Sequence, residues 1–167
     1  MNPHLSVLVA EDDENDIFLL THALGAAEVK NPIHFVRDGQ EAVDFLRERC
    51  TADKDQLPVL ILLDLKMPQK TGLEVLQWLR EQPVLQGLPA FIFSSSTRQA
   101  DIEQAYALGA SGFLVKPASL NVRKELMQFL KEWLRFNQPP IACTRGYREA
   151  RTELDALRPK PSSEGLN

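Results

Sequence analysis

Short runs of apolar residues alternate along this chain with longer stretches in which apolar positions recur every three or four residues. That alternation predicts repeated βα units around a parallel sheet. The first strand is read at Ser6 to Ala10, followed by an acidic turn and a helix through Ile17, Leu20 and Leu24. A second strand, Ile33 to Val36, ends at Asp38-Gly39, where Asp38 can cap a helix carrying Ala42, Val43, Phe45 and Leu46 on one face. A polar loop, Thr51 to Leu57, leads through Pro58 to Val59–Leu63, which is apolar at every position, as a central strand covered on both faces requires. Gly72 opens a third helix with Leu73, Leu76 and Leu79, which Pro83 stops. Phe91 to Phe93 is the fourth strand. The hydroxyl-rich turn Ser94 to Thr97 can cap a helix through Ile102, Ala105 and Leu108, and Gly109 ends it. After a fifth strand, Phe113 to Val115, Lys116-Pro117 breaks the run, and Ser119 can cap a last helix burying Leu126, Phe129, Leu130, Trp133 and Leu134.

The pattern is thus an α/β fold, (βα)5. The domain that these units build is assigned to residues 1–137. From Pro139 the composition shifts to an extension, residues 138–167, with a short helix expected over 147–157 and a disordered end.

The 167 residues fit one domain, so a single core is expected rather than a multidomain enzyme. Hydrophobic residues at 44% and charged residues at 25% describe a globular chain, and a net charge of -4 gives no field for nucleic-acid phosphates. Protein partners are therefore expected. No apolar run approaches the length of a membrane span and no signal-peptide pattern opens the chain, so the expected location is cytoplasmic. Cys50 and Cys143 stand apart, as do His4, His22 and His34, and none is read as a metal ligand.

In an open α/β sheet the ligand site lies beyond the carboxyl ends of the strands. Here those ends carry Glu11-Asp12-Asp13, Asp64, Ser94 and Lys116. Converging carboxylates repel one another, which raises their pKa values and favours a hard divalent cation such as Mg²⁺, whose oxygen-rich shell commonly uses one or two carboxylates, phosphate oxygens and water. A carboxylate is also a competent nucleophile for phosphoryl transfer, a reaction governed by positioning and charge neutralisation. Asp64 is placed for that role, with Mg²⁺, Lys116 and Ser94 (with backbone amides) each addressing one phosphoryl oxygen. Singly, each residue has an ordinary explanation: acids after strands cap helices, and serines after strands do the same. Their joint occurrence, each after the appropriate strand, favours a site.

This constellation resembles the receiver domain of two-component response regulators over residues 5–137. Glu11-Asp12 looks like the family's acidic pair, Asp64 like the phosphoacceptor, and Asp64, Met67-Pro68 and Gly72 reproduce its D-x-x-M-P-x-x-x-G loop. The resemblance implies a flavodoxin-like sheet of order 2-1-3-4-5. It implies Asp12 as direct metal ligand, Glu11 acting through water, and the Lys66 backbone carbonyl as a further ligand. Ser94 and Phe113 take the switch positions, and Lys116-Pro117 matches a Lys whose following peptide bond the family holds cis. Lys66 stands where many receivers carry Asn, and Phe113 lacks the hydroxyl of a Tyr switch.

The texture of Val36-Arg37-Asp38-Gly39 and of Leu63-Asp64-Leu65-Lys66-Met67-Pro68 looks like that of small receivers paired with phytochrome-type and hybrid histidine kinases. Such relatives imply a homodimer through the face built from the fourth helix, fifth strand and fifth helix, steadied by the tail. The segment after Pro139 is too short for a DNA-binding output domain with its own core, so output is expected through protein contacts. Two rivals differ in kind. A phosphohydrolase of the haloacid-dehalogenase type needs a second Asp two residues after the nucleophile, where this chain has Lys66. A receiver-like module that never takes phosphate typically lacks the acceptor or the Lys, and both are present.

Overall fold

The structure, a computed structural model, describes residues 5–52 and 57–137. Five strands and five helices alternate: β1 (Val7–Ala10), α1 (Glu14–Ala26), β2 (Ile33–Val36), α2 (Gly39–Ala52), β3 (Leu60–Leu63), α3 (Gly72–Glu81), β4 (Ala90–Ser94), α4 (Gln99–Ala107), β5 (Gly112–Val115) and α5 (Leu120–Phe136). The strands form one parallel sheet in the order β2-β1-β3-β4-β5, as the resemblance implied. The expectations for residues 138–167, including the helix over 147–157, lie outside the described residues, as does Cys143. Among the described residues no helix is long and apolar enough to cross a membrane.

β1, β3 and β4 are buried at every position, which explains why their sequences run apolar without alternation. Helix α1 packs with α5, α2 with α3, and α3 with α4, the grouping of a sheet covered on both faces. Leu8, Ile61, Leu63 and Ile92 are fully enclosed between these layers, each contributing about 1.5–3 kcal/mol relative to exposure.

Local chemistry starts the helices. Asp13 is the N-cap of α1, its carboxylate accepting from the Asn15 and Asp16 amides, so one member of the acidic triplet does serve as a plain cap. Asp38 accepts from the Glu41 amide at 2.7 Å, while Glu41 accepts from the Arg37 amide. α3 begins with a capping box between Thr71 and Glu74, a device the sequence reading did not single out.

Several expectations need correction. α2 runs through Ala52, past the start of the polar loop read at Thr51. The hydroxyl turn does not cap α4: its N-cap is Arg98, with no side-chain cap bond, because Ser96 Oγ instead donates to Asp101 Oδ2 and accepts from the Arg98 amide. Ser119 occupies the N-cap of α5 but makes no side-chain cap bond. On α5 the buried positions are Arg123, Met127, Leu130 and Leu134; Phe129, expected inside, is 52% exposed. The Lys116–Pro117 bond is trans, contrary to the cis bond the resemblance implied; an X–Pro bond prefers trans by only about 0.5–1 kcal/mol, so local packing decides the isomer.

Candidate functional site

The register delivers the site. Ala10 of β1 sits beside Leu63 of β3, so the residues that follow them, Glu11 and Asp64, emerge side by side. The Asp64 amide donates to the Ala10 carbonyl at 2.9 Å, extending the ladder by one bond. On the other side Ser94 pairs with Val115, and the Lys116 amide donates to the Ser94 carbonyl at 2.8 Å. Glu11, Asp64 and Ser94 are buried; Asp12 is exposed at the rim.

Carboxylate oxygens of Glu11, Asp12 and Asp64 lie within 4.8 Å of one another. The Lys116 side chain, only 5% exposed, places Nζ 2.6 Å from Glu11 Oε2, 3.0 Å from Asp16 Oδ2 and 3.2 Å from Asp64 Oδ1. Nζ also lies 5.7 Å from the centroid of the Phe93 ring, a further favourable contact for a cation. Burial pushes the Glu11 carboxyl up to about 7, with the Asp64 charge adding to it and Lys116 opposing it. For Lys116, burial acts to lower the pKa, but hydrogen bonds to Glu11 and Asp16 and the charges of Asp64 and Glu11 outweigh it, and the ammonium is held above its usual value.

Two residues that sequence reasoning missed complete the arrangement. Asp16, in the first turn of α1, accepts from Lys116 through Oδ2 and from Arg123 Nη2 through Oδ1 at 2.8 Å. Arg123 in turn donates from Nε to the Pro117 carbonyl at 2.7 Å. Burial works to raise the Asp16 carboxyl, but the hydrogen bonds from Lys116 and Arg123 leave it below the ordinary range. The available signal was Arg123 itself, the one charge on the apolar stripe of α5.

The loop after Asp64 is tight. A Cβ on Gly72 would stand 2.2 Å from the Asp64 carbonyl oxygen, so only glycine lets α3 start this close. The Gly72 amide donates to the Leu65 carbonyl at 3.1 Å, and Gln69 adopts φ 62. Lys66 lies exposed in this loop. Ser94 Oγ accepts from the Ser96 amide at 3.3 Å. Phe113 pairs with Ile92 in the sheet and is half-buried against the core.

Four carboxylates, those of Glu11, Asp12, Asp16 and Asp64, thus face two cations, Lys116 and Arg123. The all-oxygen trio and the residual negative charge suit a hard divalent cation.

Comparison with known proteins agrees. The response regulator receiver domain profile matches residues 7–145. A probable methanogenesis regulatory protein, FilR2 of Methanothrix harundinacea, is 31% identical over 80% of this chain and 86% of its own length. Response regulator Rcp1 of a Synechocystis strain is 30% identical over 84% of this chain and 97% of its own; its Mn²⁺-bound crystal structure superposes with a TM-score of 0.71, at 28% identity, covering 81% of this chain and 99% of that one. The phosphorylated cyanobacterial phytochrome response regulator RcpA superposes with a TM-score of 0.73, at 33% identity, covering 82% of this chain and 99% of that one. The chain belongs to the response-regulator receiver domain family, a family of phosphoacceptors in two-component signalling.

Proposed function

We propose that this receiver takes a phosphoryl group on Asp64 from a histidine kinase, of phytochrome or hybrid type, and signals by altering the protein surface it offers. The kinship to phytochrome response regulators supports the partner class. The observation that carries the reading is the Lys116 ammonium 3.2 Å from Asp64 inside a ring of carboxylates.

An Asp64 carboxylate oxygen attacks phosphorus, the P–N bond of the phosphohistidine breaks, and the imidazole leaves. The Lys116 ammonium binds one phosphoryl oxygen as charge builds. The Ser94 hydroxyl, giving up the Ser96 amide, donates to another. Asp12, Asp64 and the Lys66 carbonyl would hold Mg²⁺, with Glu11 reaching it through water; when bound, the ion supplies positive charge against the third oxygen. The chain assists its own phosphorylation and dephosphorylation and turns over no separate substrate. Histidine kinases draw on ATP, so the proposed location is cytoplasmic.

Movement of Ser94 vacates space toward which Phe113 turns, remodelling the α4-β5-α5 face. That face is also the proposed homodimer surface: Tyr106 on α4, Val115 at the end of β5, and Val122, Phe129 and Phe136 at seven-residue spacing along α5 are all exposed. Such a stripe on one helix suits self-association better than solvation. The receiver is assigned to residues 1–137 and the remainder to an extension.

The test is incubation with acetyl phosphate and Mg²⁺ followed by intact mass. Wild type should gain one phosphoryl group and Asp64→Asn none. Equal labelling of both, or of neither, overturns the proposal.

A further inference from the structure

Resting on that reading of Asp64 and Lys116, we infer that Asp16 and Arg123 are positioning residues that aim the Lys116 ammonium at the phosphoryl group. An ammonium has three N–H donors, and here each has a carboxylate: Glu11, Asp16 and Asp64. Fixing two legs of a tetrahedral ammonium fixes the third. When Asp64 carries a phosphoryl group, the bonds to Glu11 and Asp16 stay, and the third N–H turns from the Asp64 oxygen to a phosphoryl oxygen beside it.

Asp16 suits the task because it is itself held. Its Oδ1 is taken by Arg123 Nη2 at 2.8 Å, leaving Oδ2 for Lys116 at 3.0 Å. Arg123 is anchored by Nε on the Pro117 carbonyl at 2.7 Å, and Pro117 is bonded to Lys116. The contacts close a ring: Lys116 side chain, Asp16 carboxylate, Arg123 guanidinium, Pro117 carbonyl, and back through the chain to Lys116. A flexible lysine stem is thereby tied at its tip to a rigid guanidinium fork.

Stability does not account for Arg123. It sits 5% exposed in line with Met127, Leu130 and Leu134, and its buried Nη1 has no hydrogen-bond partner among the described residues. A buried ion pair at such a position gains little over an apolar side chain. What it provides is a fixed place for Asp16.

The experiment uses the full chain with Asp16→Asn, Arg123→Met, the double variant and Arg123→Lys. At saturating acetyl phosphate with Mg²⁺, both single variants should label about tenfold more slowly, with KM for acetyl phosphate unchanged, since aim and not capture is lost. The double variant should be no slower than the worse single, because one ring is broken once. Arg123→Lys should fall between. In ¹H–¹⁵N spectra of lysine ammonium groups, the Lys116 signal, assigned by its loss in Lys116→Met, should be visible in wild type and lost in Asp16→Asn. Wild-type labelling rates in the single variants, multiplying effects in the double, or an undisturbed Lys116 signal in Asp16→Asn would overturn the inference. If Arg123→Met does not fold, Asp16→Asn and Arg123→Lys decide it. A wild type that takes no phosphoryl group, with the Lys116 signal still dependent on Asp16, refutes the Asp64 reading and supports the ring.

Discussion

Glu11 is enclosed beside Lys116 and Asp64, and its ordinary value of 4.5 is pushed up to about 7 chiefly by burial. Below pH 4.5 it is protonated folded and unfolded, and its contribution to stability is complete. Between 4.5 and 7 the unfolded chain ionises first, so stability falls as pH rises, by about 3 kcal/mol. Asp16 works in the opposite sense: its lowered pKa contributes stability above its ordinary value of 3.8 that is lost as pH falls through the folded value. In EDTA, chemical denaturation should therefore show maximal stability near pH 5 and a decline toward pH 8, and Mg²⁺ should stabilise more at pH 8 than at pH 5. A flat or rising profile from pH 5 to 8 would contradict the Glu11 assignment. Gly72→Ala, which drives a methyl group into the Asp64 carbonyl, should cost about 2–3 kcal/mol in urea denaturation and slow labelling of Asp64. The cluster of Glu11, Asp12, Asp64 and Lys116 was legible because its members follow strand ends, where topology concentrates chemistry. Asp16 and Arg123 were not, since their partners lie 100 and 107 residues away and an acid in a first helical turn reads as a dipole partner.

Among the elements, the strands follow the apolar runs to within a residue or so; in β1, β3 and β4 burial on both faces keeps the run apolar, whereas the part-exposed β2 and β5 are short apolar runs marked by what flanks them. The helix starts were less legible. Ser, Thr, Asn and Asp compete for several local backbone groups, and Ser96 found Asp101 and the Arg98 amide where capping of α4 was expected. The face of α5 differs too: helical spacing puts Phe129 with Leu126, Leu130, Trp133 and Leu134, but the buried line is Arg123, Met127, Leu130 and Leu134, because an arginine holds a position that an apolar stripe does not predict. At a concentration low enough to keep the protein monomeric, Met127→Ala should accordingly lower stability by about 2–4 kcal/mol, and Phe129→Ala should change it by less than about 0.5 kcal/mol. Thermal denaturation of the two variants in parallel separates the faces; the reverse order would restore Phe129 to the core.

For the whole molecule, the alternation of runs and amphipathic stretches was enough for (βα)5, whereas the order β2-β1-β3-β4-β5 followed from the family likeness, because periodicity does not say which strands pair. Association is a property of this scale too. If the stripe of Val122, Phe129 and Phe136 forms the homodimer, Phe129→Ser should weaken association at least about tenfold in sedimentation equilibrium while leaving the melting temperature of the dilute monomer nearly unchanged. An unaltered dimer would move the interface elsewhere, and a wild type that stays monomeric at high concentration would remove it.

An aspartyl phosphate is an acyl phosphate, which borohydride reduces to an alcohol and so marks the residue that carried it. Wild-type protein treated with acetyl phosphate and Mg²⁺, reduced with borohydride, digested and mapped by mass spectrometry should carry homoserine at position 64 and at no other aspartate. Reduction at Asp12 or Asp16 with position 64 intact, or no reduction anywhere, would contradict the assignment of Asp64 as phosphoacceptor.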